Sequence, residues 1–223
     1  MTMFLRIAVL GLLWLGLAGW DFSRHAIPLD EIRSGGPPKD GIPALSNPKF
    51  VTPGSGASKY LQDSQRVIGL VVRGQAKAYP IGILNWHEIV NDRIGGKEVA
   101  VTYCPLCGTG MVFDADSGGR TLTFGVSGLL YQSDMLLYDR QTESLWSQIK
   151  SEAVTGPLTG TRLRLLASTH TTWGDWKRRR PDTLVMSRNT GYRRDYGRNP
   201  YGDYDKNRTL FFPVNASSRR YHP

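Results

Sequence analysis

Short apolar runs of β-forming residues, separated by polar turn signals, fill most of the middle of the chain. Val67 to Arg73 and Ala76 to Ile81 are runs of β-formers joined across Arg73-Gly74-Gln75, a spacing that predicts a hairpin. Ile83, Trp86, Ile89 and Val90 share one helical face, which predicts a short helix over Ile83 to Val90 ending near Asn91. Short strand candidates follow at Glu98 to Tyr103, Gly110 to Phe113, Arg120 to Val126, Ser133 to Tyr138 and Ser144 to Gln148. Turn signals such as Asp116-Ser117-Gly118-Gly119 and Asp139-Arg140-Gln141 separate them. Arg162 to Ala167 reads as one more strand, Trp173 to Arg180 as a short helix stopped by Pro181, and Thr183 to Ser187 as a last strand. The predicted fold class is mainly β, an antiparallel barrel or sandwich-like sheet with a few short helices, because hairpin-length links leave little room for parallel crossovers.

This pattern fails at both ends. Residues 1–20 carry Arg6, an almost unbroken apolar run from Ile7 to Leu17 and the small pair Ala18-Gly19, the pattern of a signal peptide. The alternative is an uncleaved N-terminal anchor, since Trp14, Trp20 and Phe22 suit a membrane interface, although the run is short for a bilayer span. Either way the body is expected to be exported, periplasmic or held at the outer face of a membrane. Residues 21–58 are broken by Gly35-Gly36-Pro37-Pro38 and Pro53-Gly54-Ser55-Gly56, so they are expected to form an irregular arm on a single β-rich domain over 59–223.

Composition narrows the chemistry. With 223 residues, 40% of them hydrophobic, the chain can build a core without a disulfide framework, and its two cysteines could not supply one. The net charge of +9 lies wholly beyond residue 160, where 14 basic residues face 5 acidic ones. Lys177-Arg178-Arg179-Arg180 with nearby tyrosines would suggest nucleic acid in a cytoplasmic protein, but export argues against it. A solvated basic face, or an anionic envelope polymer or membrane surface, fits better. The sequence holds no Gly-x-Ser-x-Gly elbow, no His-Glu-x-x-His and no phosphate-binding glycine loop.

The one clear piece of site chemistry is Cys104-Pro105-Leu106-Cys107, followed by Gly108-Thr109-Gly110 and the β-forming Met111-Val112-Phe113. In a thioredoxin-like site the cysteines stand at the head of a helix, which lowers a thiol pKa. Here no helix is predicted, and a strand, a tight turn and a return strand form a knuckle instead. Three readings stand: a local disulfide, a soft-metal site for zinc or copper, and a thiol–disulfide oxidoreductase. The knuckle geometry favours metal over oxidoreductase, yet it supplies only two ligands. His87 is the first candidate for a third, His170 the next, and Met111 would suit copper(I). No cofactor-binding or catalytic residue beyond these is indicated.

Several motifs carry a resemblance. They are Asn85-Trp86-His87-Glu88-Ile89-Val90-Asn91-Asp92, Thr102-Tyr103-Cys104-Pro105-Leu106-Cys107-Gly108-Thr109, Ser127-Gly128-Leu129-Leu130-Tyr131 with Ser133-Asp134, Tyr138-Asp139-Arg140 with Glu143-Ser144-Leu145-Trp146-Ser147-Gln148, and Pro200-Tyr201-Gly202-Asp203-Tyr204. From roughly Asp40 to the end, the chain resembles an exported bacterial and archaeal family known as domain of unknown function 3179. The resemblance implies no activity. It does imply that His87, Cys104 and Cys107 belong to one pattern, and that the family pattern continues past a pair such as His222-Pro223, as in a member shortened at its C-terminus.

Overall fold

A computed structural model describes residues 19–206, 211, 212 and 214. The apolar run at Ile7 to Leu17 and the pair His222-Pro223 lie outside the described residues. No helix among the described residues is long and apolar enough to cross a membrane.

The chain enters through three short strands, β1 (Ile32–Ser34), β2 (Leu45–Ser46) and β3 (Phe50–Val51). The expected hairpin follows as β4 (Arg66–Val72) and β5 (Gln75–Pro80), and then the helix α1 (Ile81–His87). A first meander contains β6 (Ile89–Ile94), β7 (Lys97–Cys104) and β8 (Thr109–Asp114), with a small ribbon, β9 (Asp116–Ser117) and β10 (Arg120–Thr121), after it. A second meander contains β11 (Phe124–Tyr131), β12 (Asp134–Asp139), β13 (Leu145–Ser147) and β14 (Glu152–Thr155). The chain continues through β15 (Leu165–Leu166), β16 (Ser168–Thr172), α2 (Trp173–Arg179) and β17 (Leu184–Met186).

These strands form three five-stranded sheets, ordered β1-β11-β12-β13-β14, β15-β8-β7-β6-β2 and β16-β4-β5-β17-β3. The class is mainly β, as expected, with sandwich-like sheets and, among the described residues, no closed barrel. Pairing is antiparallel except for β2 with β6 and β17 with β5. Both parallel partners arrive from distant parts of the chain, so neither needs a local crossover.

The β6-β7-β8 sheet sits between the other two, and the period of two along β7 decides what goes where. Val99, Val101 and Tyr103 join a core cluster with Ile68 and Leu70 of β4, while Ala100 and Cys104 join another with Val126, Leu130, Met135 and Leu137 of β11 and β12. A strand buried on both faces reads as an unbroken apolar run, which is why Val99 to Cys104 showed so little alternation. Outside this stack, Trp173 and Trp176 of α2 cover Val67 and Ala78. Gly69 leaves room there, because a Cβ on it would lie 2.3 Å from the Trp176 ring. Full burial of a side chain such as Phe113 or Phe124 is worth roughly 1.5–3 kcal/mol.

The expected helix over Ile83 to Val90 is corrected. It stops at His87, because Glu88 takes φ +57° and Ile89 and Val90 then pair with Thr102 and Val101 of β7. Their β-branched side chains satisfy a strand as well as a helical face. α2 matches its expectation: the Thr172 side chain accepts from the Asp175 N–H at its start, and Pro181 lies just past its end.

Candidate functional site at the cysteine turn

Cys104 is the last residue of β7 and pairs with Thr109, the first residue of β8, so Pro105, Leu106, Cys107 and Gly108 form the connecting turn. Gly108 closes it with φ +60°, a left-handed conformation that glycine adopts without strain. The knuckle predicted from sequence is therefore present, and neither sulfur stands at the head of a helix. Cys104 is 1% exposed, whereas Cys107 is half-buried.

The two Sγ atoms lie 2.9 Å apart and are not joined as a disulfide. Cys107 Sγ is 3.2 Å from the Ser133 carbonyl oxygen and Cys104 Sγ is 3.8 Å from it, so both thiols point at one acceptor. That carbonyl belongs to the two-residue turn between β11 and β12, where Gln132 and Ser133 both have positive φ, at 52° and 61°. Such a turn normally takes Asn-Gly, and holding two ordinary residues there costs about 1 kcal/mol or more each. Strain is thus kept where the sheet meets the sulfurs.

Asp134 follows directly. One of its oxygens, with those two sulfurs, forms a group in which all three atoms lie within 4.8 Å of one another. Its Oδ2 accepts from the Ser147 hydroxyl at 2.5 Å and from the Ile149 N–H at 3.2 Å, while its buried Oδ1 has no hydrogen-bond partner. Burial raises the Asp134 pKa to about 7 against the pull of those donors. The Cys104 thiol is pushed up as well, first by its hydrogen bond with Cys107 and then by burial. Ser147 and Gln148 come from the end of β13. Ser147 holds the carboxyl, and Gln148 Nε2 donates to Thr102 Oγ1 and the Thr109 carbonyl under the cysteine turn. Asp139, fully buried, accepts from Trp146 Nε1 and Thr142, which fixes the bend that brings β13 back to this place.

A cavity of about 650 Å³ opens beside the pair, walled mostly by apolar side chains such as Leu106, Leu130 and Met135. Cys104, Glu88 and Tyr201 also line it. The Tyr201 hydroxyl donates to Glu88 Oε1 at 2.6 Å, and burial raises the Glu88 pKa to about 7 although that bond lowers it. The tail reaches this wall through two further bonds, from Trp86 Nε1 to the Arg198 carbonyl and from the Tyr204 hydroxyl to the Leu106 carbonyl.

The structure brings Cys104 and Cys107 together and leaves His87 apart. His87 Nδ1 meets the Pro43 carbonyl and Nε2 meets the Tyr196 hydroxyl, each at 2.7 Å, so both ring nitrogens are engaged. Burial also lowers its pKa. His170 Nε2 lies 3.1 Å from the Gly110 carbonyl, and Met111 packs against the core between the two meanders. Among the described residues, the third side chain grouped with the sulfurs is Asp134, which sequence reasoning did not place there. A signal existed in the isolated acids of two apolar runs, Asp134 before Met135-Leu136-Leu137 and Glu88 before Ile89-Val90. Both are buried.

Neither the curated proteins nor the solved structures gave a match. A family profile described as a protein of unknown function, DUF3179, matches residues 39–223. The stretch includes every strand that frames the cysteine turn except β1, and on that coverage the chain belongs to the DUF3179 family.

Proposed function

We propose that Cys104 and Cys107 form a reversible dithiol–disulfide pair and that the protein acts in thiol–disulfide exchange. The observation that carries this reading is the 2.9 Å separation of the sulfurs beside a buried acid. Two thiolates on one tetrahedral zinc would stand about 3.8 Å apart. Closing a disulfide asks for a further approach of only about 0.9 Å.

Cys107, the more exposed sulfur, attacks a partner disulfide as a thiolate, forms a mixed disulfide and expels one partner thiolate. Cys104 then gives its proton to the Asp134 carboxylate and attacks Cys107, releasing the second partner sulfur. Two electrons and two protons pass to the partner, and an internal disulfide remains. An acid with a pKa near 7 can both take and return that proton at neutral pH.

The unpartnered Oδ1 of Asp134 favours a second reading, in which the two sulfurs and this carboxyl hold a soft cation such as zinc or copper(I). His87 is a less favourable donor because both its nitrogens are occupied. The apolar run from Ile7 to Leu17 supports work outside the cytoplasm, where disulfide chemistry is at home.

Equilibration of the full chain in glutathione buffers of graded potential, with thiol counting by mass, tests the proposal. The expected result is a loss of two hydrogens in a single step, with Cys104→Ser trapping a mixed disulfide at Cys107 and Cys107→Ser trapping little. Free thiols at every potential would overturn it, and stoichiometric metal in protein purified without chelator would favour the second reading.

A further inference from the structure

The cavity beside Cys104 has features that exchange between thiols does not use. It is large enough for a small molecule, and its walls are chiefly apolar side chains from β11, β12 and the cysteine turn. Cys104 lines it, while Cys107 lies outside the lining. The pair therefore has two approaches, an exposed one at Cys107 and an apolar one at Cys104. The polar groups on the wall also converge. Glu88 and Tyr201 are hydrogen-bonded to each other, and Glu88 is held at φ +57° immediately after α1, in a conformation an ordinary residue adopts only at a cost. The Tyr103 N–H donates to the Glu88 carbonyl at 2.8 Å, so the backbone of Glu88 is tied to the residue next to Cys104.

Resting on the dithiol reading above, we propose that this cavity binds a quinone, which the Cys104–Cys107 dithiol reduces while Glu88, positioned by the Tyr201 hydroxyl, holds one of its ring oxygens. The chemistry balances without a further reactant. Forming the sulfur–sulfur bond releases two electrons and two protons, and the two carbonyl oxygens of a quinone take up that number to become a hydroquinone. Glu88 in its acid form donates to a carbonyl oxygen, gives up its proton as the ring is reduced, and is reprotonated from the protons the thiols release. An apolar ring with an apolar tail suits walls such as Leu130, Leu106 and Met135. A dinucleotide or a charged peptide would bring several charges to a lining whose cation is Arg198, and unmatched buried charge is costly.

The test uses the reduced full chain, without oxygen, and decylubiquinone, whose fully substituted ring leaves no C–H position for thiol addition. Quinone absorbance and protein thiols are followed together, and oxidised glutathione serves as a parallel oxidant. The expected result is one hydroquinone formed per disulfide. Glu88→Gln should slow quinone reduction about tenfold or more relative to oxidation of the same variant by glutathione. Leu130→Trp, which fills the cavity, should raise the quinone concentration required by a similar factor with the same glutathione control. Oxidation by glutathione with decylubiquinone left intact would overturn the quinone site and leave the dithiol reading standing. Wild-type quinone rates in both variants would likewise overturn it. Failure of both oxidants to close the disulfide would remove the dithiol reading and this inference together.

Discussion

Asp134 is a carboxylic acid kept where a carboxylate is expensive. It is 3% exposed, and its pKa is about 7 in the fold against 3.8 for the ordinary group. Because the folded value is the higher one, the contribution of this residue to stability is fully present below about pH 4 and is lost as pH rises through 7. Glu88, raised from 4.5 to about 7, acts in the same direction, whereas His87, lowered from 6.5, acts in the opposite one. A difference measurement separates them. Asp134→Asn keeps an oxygen for the Ser147 hydroxyl and cannot ionise, so it should gain stability relative to the native chain between pH 5 and pH 8 by on the order of 2–4 kcal/mol. Urea midpoints of both proteins at the two pH values check this. Parallel curves would mean that Asp134 is ionised in the folded state at pH 5.

At the scale of elements, the site depends on how β11 bends. Its register with β12 shifts between Val126 and Leu129, and Gly128 sits in that bulge at φ +77°. A Cβ on Gly128 would lie 2.0 Å from the Pro37 carbonyl oxygen, and Gly35 N–H donates to the Gly128 carbonyl at 2.7 Å, so the N-terminal arm is fastened against the bulge. Gly128→Ala is therefore expected to cost about 2 kcal/mol or more, read as a lower urea midpoint, because a backbone carbonyl cannot step aside cheaply. An unchanged midpoint would show that the arm gives way without penalty. The same bulge explains why the expected strand over Arg120 to Val126 ended too early, since Ser127-Gly128 reads as a turn in sequence. β14 was missed because it is short and follows the turn at Lys150-Ser151, β16 because Ser168 to Thr172 carries no apolar residue, and β6 was absorbed into the preceding helix. By contrast, the hairpin of β4 and β5 and the strand, turn and strand around the cysteines were legible, since local turn chemistry alone defines them. The acid beside the sulfurs was not legible, because Asp134 reaches them across two sheets and no local spacing encodes that approach.

At the scale of the whole molecule, the stretch of chain that looked least structured proves to be distributed through the fold. β1 pairs with β11, β2 with β6 and β3 with β17, so the arm supplies an edge strand to each of the three large sheets. Its side chains are also in the cores: Ile27 and Ile32 pack with Leu136 and Tyr138, and Leu45 packs with Val90 and Val101. The Pro43 carbonyl meets His87 at the end of α1, which ties the arm to the helix preceding Glu88. Burying Ile27, Ile32 and Leu45 alone is worth roughly 5–8 kcal/mol, comparable with the whole stability of about 5–15 kcal/mol expected for a domain. A chain lacking residues 19–46 should then bare the edges of β11 and β6 together with apolar faces beside them, a combination that invites strand pairing between molecules. The expected outcome is a protein that elutes as large aggregates in gel filtration and shows no cooperative urea transition. A monomer with the native midpoint would show that the two meanders fold without the arm, and that the arm is a cover laid on a finished domain.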